Sequence, residues 1–192
     1  MKIIWFDCES TGLDPLTCQV LEVCAMVSDF NDPFNARFLY EAVLPLAPSA
    51  PCDLPSAVLE MHTKNGLLSE CGAWSTRRRE LVDIELSKWI DAVEEQGVFP
   101  ALGGSSIHFD WNFIVVHFPS VAARMSHRPG DIKRYDVSVL KLYCQSMGME
   151  PLSRGDSVHR ARQDVLRSIE LGKECTEWLK RNLGHSPNVH TH

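Results

Sequence analysis

The chain has 192 residues, with 44% hydrophobic and 23% charged residues, which suits one α/β domain with a substantial core. No apolar run reaches the roughly 18–20 residues of a membrane-spanning helix, so a membrane partner is not expected. The formal net charge of −6 argues against holding long duplex nucleic acid by bulk electrostatics. It leaves room for short or single-stranded ends entering an acidic site whose field bound cations reverse.

Lys2 to Phe6 reads as a short apolar strand that stops at Asp7, and Ser10-Thr11-Gly12-Leu13-Asp14-Pro15 reads as a turn. The first six residues could open a signal peptide, but Asp7 and Glu9 interrupt the apolar stretch too soon. Gln19 to Phe30 and Ala36 to Leu44 are strand-like, which predicts an antiparallel meander at the front of the domain. Pro45 to Pro55 contains Pro45, Pro48, Pro51 and Pro55 and reads as a loop. Ser56 to Met61 suits a short helix capped by Ser56, and Thr76 to Gln96 has a longer helical period.

Phe99 to Ile107 predicts a buried strand running into small residues. A helix is expected to begin near Asp110 and end before Pro119, with another helical turn over Val121 to Met125. After a loop at His127 to Asp131, Arg134 to Val137 is strand-like and Val137 to Met147 helical. Ser153 to Val158 reads as a glycine-containing loop. A long helix then runs from His159 to Asn182, Gly184 is placed to stop it, and 183–192 reads as a loose tail. The order of elements fits a single mixed α/β domain over 1–182.

The seven cysteines, Cys8, Cys18, Cys24, Cys52, Cys71, Cys144 and Cys175, are scattered and contain no Cys-x-x-Cys. They read as free thiols in a reducing, cytoplasmic compartment. Trp5, Trp74, Trp89, Trp111 and Trp178 read as packing residues. Arg77-Arg78-Arg79 reads as a solvated helix face, with phosphate tracking as the alternative.

Asp7 and Glu9 are two apart, so on a strand both carboxylates share one face. Such a pair repels unless a cation sits between the two, and a hard divalent cation accepts that oxygen-rich geometry. A solvated strand end is the bland alternative. Asp110 lies where a buried strand passes into a helix, a place that also suits an N-cap. His159 and Asp164 are five apart. On a regular helix that is about 140° of rotation, so His159 is better placed in the loop before the helix, reaching over an acidic site.

Taken in order, these fragments resemble a known family. Asp7-Cys8-Glu9-Ser10-Thr11-Gly12-Leu13-Asp14-Pro15 resembles the first motif of the DEDD exonucleases, and of oligoribonuclease in particular. Gly104-Ser105-Ser106-Ile107-His108-Phe109-Asp110 resembles the second. His159-Arg160-Ala161-Arg162-Gln163-Asp164 resembles the third, in its histidine-containing form. Met61-His62-Thr63-Lys64-Asn65-Gly66-Leu67 and Tyr135-Asp136-Val137-Ser138-Val139-Leu140-Lys141 resemble two further oligoribonuclease segments.

The resemblance implies a ribonuclease H-like mixed sheet flanked by helices. It also implies 3′→5′ hydrolysis of short RNA or single-stranded nucleic acid to nucleoside 5′-monophosphates. Asp7, Glu9, Asp110 and Asp164 would hold two divalent cations, Mg²⁺ or Mn²⁺, and His159 would serve as general base. Thr11, Gly12, Leu13, His62 and Ser106 match substrate-contacting positions, and the family is a homodimer. Two places depart from it. Ala57 stands where the family has a base-stacking Trp. Arg134, followed by Tyr135, stands where the partner subunit's Tyr is expected. A base–aromatic stack is worth about 1–3 kcal/mol, so the preference for very short RNA is expected to weaken. A DNA proofreading or repair exonuclease of the same fold is the alternative. A non-catalytic nucleic-acid-binding module is a third reading, opposed by the presence of all five catalytic residue types.

Overall fold

The computed structural model describes residues 1–46, 55–73, 77–94, 97–128, 131–151 and 158–183. The chain begins with three long strands, β1 (Lys2–Ser10), β2 (Val20–Asp29) and β3 (Asp32–Val43). Three helices follow, α1 (Ser56–Lys64), α2 (Leu67–Ala73) and α3 (Arg79–Val93). Then come β4 (Ala101–Gly104), α4 (His108–His117), α5 (Pro119–Met125), β5 (Arg134–Asp136), α6 (Val137–Ser146) and α7 (Ala161–Leu183).

The sheet has the order β3-β2-β1-β4-β5. Strands β1 to β3 form the expected meander, while β4 pairs parallel to both β1 and β5. The alternation of strand side chains explains the two cores. Ile4, Phe6 and Cys8 of β1 join one cluster with α3, α4 and α5. Ile3 and Trp5 join the other, with α6 and α7. Trp5 is fully buried, and its indole N–H is satisfied by Ser28 Oγ at 2.9 Å and the Pro33 carbonyl at 3.0 Å.

Several sequence expectations are corrected. β1 does not stop at Asp7. It continues to Ser10, with Asp7 opposite Cys24 and Glu9 opposite Glu22. β2 supplies enough ladder bonding to carry the two acids within the sheet. β4 ends at Gly104 rather than Ile107, and α4 begins at His108, so Asp110 lies in its first turn and Ile107 holds the cap position. Helix α1 begins at Ser56, so the cap position falls on Pro55 rather than on Ser56. α2 was not anticipated, because a seven-residue helix containing Gly72 has no readable period. The final helix starts at Ala161, two residues after His159. The expectations for Pro48, Pro51, Cys52, Trp74, Thr76, Gly184, the tail and most of 153–158 lie outside the described residues.

This topology opens a place for a site. The last β1–β4 pair is Trp5 with Gly103. Beyond it the chain leaves the sheet towards α4, so Asp7 and Glu9 lose their neighbour on that side. An opening beyond the carboxyl ends of parallel strands is where α/β sheets commonly receive ligands. Gly104 allows the departure. A Cβ there would lie 2.9 Å from the Phe6 carbonyl oxygen and 2.8 Å from Ile107 Cδ1.

Candidate active site

Asp7 and Glu9 project on the same face of β1 as Ile3 and Trp5, towards α7. α7 brings Asp164 in its first turn, with Ala161, Val165 and Ile169 fixing the helix against the sheet. Asp110 arrives from α4, and its Oδ1 accepts the backbone N–H of Cys8 at 3.0 Å. His159 precedes α7 with a left-handed φ of 52°. Together Asp7, Glu9, Asp110, His159 and Asp164 line a single cleft of about 410 Å³. Ser105, Ser106, Phe109, Arg167 and Ser168 complete much of its wall.

The electrostatics are those of crowded carboxylates. Burial, then the charges of Asp110, Glu9 and Asp164, raise the Asp7 carboxyl well above its ordinary range. Burial, then Asp164, Glu22 and Asp110, push Glu9 up to about 8. Asp110 is also raised, chiefly by burial, although its bonds from Cys8 oppose the shift. Without a cation such a set resists ionisation. One ligand atom from each of Glu9, His159 and Asp164 lies within 4.8 Å of the others, close enough to hold a metal ion. Asp7 and Asp110 add oxygens to the same cleft. An oxygen-rich set with one imidazole fits a hard divalent cation.

The remaining expected residues divide into two groups. Leu13 is 82% exposed, and Ser106 lines the cleft with a φ of 53°, its N–H donating to Asp136 Oδ1 and Ser138 Oγ. Arg134 is exposed on β5. Thr11, His62 and Tyr135 each make contacts within the fold. Thr11 is buried, with Oγ1 accepting the Gln19 N–H and its own N–H donating to the Gln19 carbonyl, both at 2.9 Å. His62 is fully buried, with Nε2 3.1 Å from the Ser10 carbonyl and 3.8 Å from Glu9 Oε2. Burial lowers its pKa, so it sits neutral beneath β1 with Nε2–H as the donor. Tyr135 packs edge-on against Trp5 and Phe34, with ring centroids 5.5 and 6.3 Å away. Gly12 is explained by packing, since a Cβ would lie 2.7 Å from Cys18 Sγ. The turn that carries Leu13 is held from behind by His117, whose Nε2–H donates to the Pro15 carbonyl at 2.8 Å while Nδ1 accepts from Arg79 at 3.1 Å.

Sequence reasoning missed Glu22 and Arg160. Glu22 is a buried acid in a run that is otherwise apolar from Val20 to Val27, which was the available signal. Arg160 Nη2 meets Glu22 Oε1 at 2.8 Å, and its Nη1 meets Glu70 Oε1 at 2.9 Å. Glu22 Oε2 also accepts the Ala161 N–H at 2.9 Å, so it both pairs Arg160 and satisfies the start of α7. The bonds to Glu22 and Glu70 raise the Arg160 pKa and keep it charged.

No family model matches the chain. A probable oligoribonuclease of Schizosaccharomyces pombe is 28% identical over 179 residues, covering 92% of this chain and 68% of that protein. The oligoribonuclease of Cutibacterium acnes is 28% identical over 189 residues, covering 98% and 90%. The chain is a homologue of oligoribonuclease. Among solved structures, Escherichia coli exonuclease I in complex with a dT13 oligonucleotide superposes with a TM-score of 0.68 at 14% identity. The match covers 95% of this chain and 42% of that one. A moderately thermophilic exonuclease I from Methylocaldum szegediense superposes with a TM-score of 0.65 at 14% identity, over 96% of this chain and 41% of that one. The fold of this oligoribonuclease homologue is therefore the ribonuclease H-like mixed sheet flanked by helices. The chain spans about two fifths of the exonuclease I chains it resembles. No helix among the described residues is long and apolar enough to cross a membrane.

Proposed function

We propose that this chain is a 3′→5′ exonuclease that releases nucleoside 5′-monophosphates from short RNA or single-stranded nucleic acid. The observation that carries the reading is the convergence of Asp7, Glu9, Asp110 and Asp164 with His159 in one cleft. Homology to oligoribonucleases over most of the chain supports it.

Asp7, Glu9, Asp110 and Asp164 are the residues that would hold two Mg²⁺ or Mn²⁺ ions. When bound, such a pair supplies activation of water, neutralisation of phosphate charge and stabilisation of the departing 3′-oxygen. The chain's own groups do the rest. His159 takes the proton from the water whose oxygen attacks phosphorus, and its exposure lets it hand that proton to solvent. The P–O3′ bond breaks, leaving a 5′-monophosphate and a shortened chain with a 3′-hydroxyl. Asp110 is aimed into the cleft by the Cys8 N–H. Exposed Leu13 offers an apolar surface to the terminal base, and Ser106 a hydroxyl at the cleft wall. Arg134 offers an exposed guanidinium on the edge strand in place of an aromatic ring.

A single-stranded DNA substrate is the second reading, favoured by the fold shared with exonuclease I bound to dT13. Rates on a dinucleotide, a longer RNA and single-stranded DNA, each in Mg²⁺ and Mn²⁺, separate the two. A marked dinucleotide preference supports the oligoribonuclease reading. Equal or faster hydrolysis of long single-stranded DNA supports the other. Absence of mononucleotide release from all three overturns the exonuclease assignment. A homodimer and a cytoplasmic location complete the proposal. Light scattering tests the first, and the free thiols of the described cysteines support the second.

A further inference from the structure

His159 holds a backbone conformation that a side chain with a Cβ rarely adopts, with φ at 52°. Such a conformation persists only where the surroundings over-determine it. On its C-terminal side the chain is anchored by Arg160, clasped by Glu22 and Glu70, and by the Ala161 N–H on Glu22. Its own carbonyl and the one before it are both bonded by one side chain from the joint between α1 and α2. Asn65 Nδ2 donates to the His159 carbonyl at 2.5 Å and to the Val158 carbonyl at 3.2 Å.

The rest of Asn65 is also in use. Its Oδ1 accepts the Leu67 N–H at 3.0 Å, at the start of α2. Its backbone N–H closes α1 by donating to the Met61 carbonyl at 3.1 Å. Its carbonyl accepts from Arg160 Nη1 at 3.5 Å. Three residues earlier, His62 is buried against the Ser10 carbonyl of β1. The joint is thus pinned to the strand that bears Asp7 and Glu9, and Asn65 passes that registration to the residue facing them.

We propose that Asn65 is a positioning residue for His159: its amide group holds the left-handed turn that keeps the imidazole beside Glu9 and Asp164. The inference rests on the proposed role of His159 in the exonuclease reading. The α1–α2 joint is then part of the active site without touching substrate.

Asn65→Asp and Asn65→Ala are the informative variants. Asp keeps an oxygen for the Leu67 N–H but sets a second oxygen against the two carbonyls. Ala removes all three side-chain bonds without adding charge. Both variants are expected to lower kcat about ten- to a hundredfold, the range for a small misplacement of a reacting group, with KM changed less than about threefold. Native-state hydrogen exchange should speed up at the amides of Val158 to Ala161 and stay unchanged in β1 and β2. Unchanged kcat and unchanged exchange in both variants overturn the proposal, as does a kcat loss confined to the Asp variant, which would trace to charge. Uniformly faster exchange throughout the sheet also overturns it, because Asn65 would then be a general stability residue. If the parent chain releases no mononucleotide at all, the exonuclease reading fails by itself, and the local exchange measurement alone decides the proposal.

Discussion

The backbone N–H of Cys8 donates to Asp110 Oδ1 at 3.0 Å, joining β1 to α4 across 102 residues of sequence. The Asp110 carboxylate thus ties α4 to β1 at the wall of the cleft it lines. Asp110→Asn can still accept the Cys8 N–H through its amide oxygen but carries no charge. It is expected to lose mononucleotide release by about a hundredfold or more, since the proposed two-metal chemistry depends on the charge of the carboxylates that would hold the ions. Its thermal midpoint should stay close to that of the parent. Circular dichroism melting beside a single-turnover assay checks both halves of this expectation.

His159→Ala should reduce kcat by roughly 10²–10⁴, the usual contribution of a positioned general base, with little change in KM. The residue is exposed and outside both cores, so the fold should be unaffected. Full activity in the variant would remove His159 from the mechanism.

The metal-free protein should lose stability as pH rises. Glu9 is raised from 4.5 to about 8 in the folded chain, and Asp7 and Asp110 are raised in the same direction. The folded state therefore holds these protons more tightly than the unfolded one. The stabilisation is complete below pH about 4.5 and is lost as pH climbs towards about 8. In EDTA the melting temperature should fall across that window, and Mg²⁺ or Mn²⁺ added at pH 8 should restore it. A flat profile in EDTA, unmoved by metal, would count against the cation site.

Arg160→Met should cost about 2–3 kcal/mol in urea denaturation. It strands Glu22, whose side chain is only 9% exposed, with no cation beside it. Glu70→Ala should cost less than about 1 kcal/mol, because Glu70 is 42% exposed and its pairing is screened by water. Adding Glu22→Gln to Arg160→Met should recover part of the loss.

Gly104→Ala should destabilise by about 1–3 kcal/mol. The new methyl would meet the Phe6 carbonyl oxygen at 2.9 Å, and a β1 backbone atom cannot swing aside as a side chain can. A loss well below that range in chemical denaturation would show that the β4 exit can widen.

Local chemistry made much of this protein legible from its sequence. The meander, the buried strand before Asp110 and the long last helix follow from apolar period and turn residues, which depend only on near neighbours. The order of Asp7-Cys8-Glu9, Asp110, His159 and Asp164 was sufficient to name the acidic centre. Only the tertiary structure decided how those residues are held and which neighbours remain available. The contacts of Thr11, His62 and Tyr135 with Gln19, Ser10, Trp5 and Phe34 are among those the sequence does not reveal. The roles of Glu22, Arg160 and Asn65 cannot be read from local sequence, because they arise from partners 90 to 139 positions away or across a helix joint. Burial and long-range hydrogen bonding are properties of the packed chain, and a list of residues does not contain them.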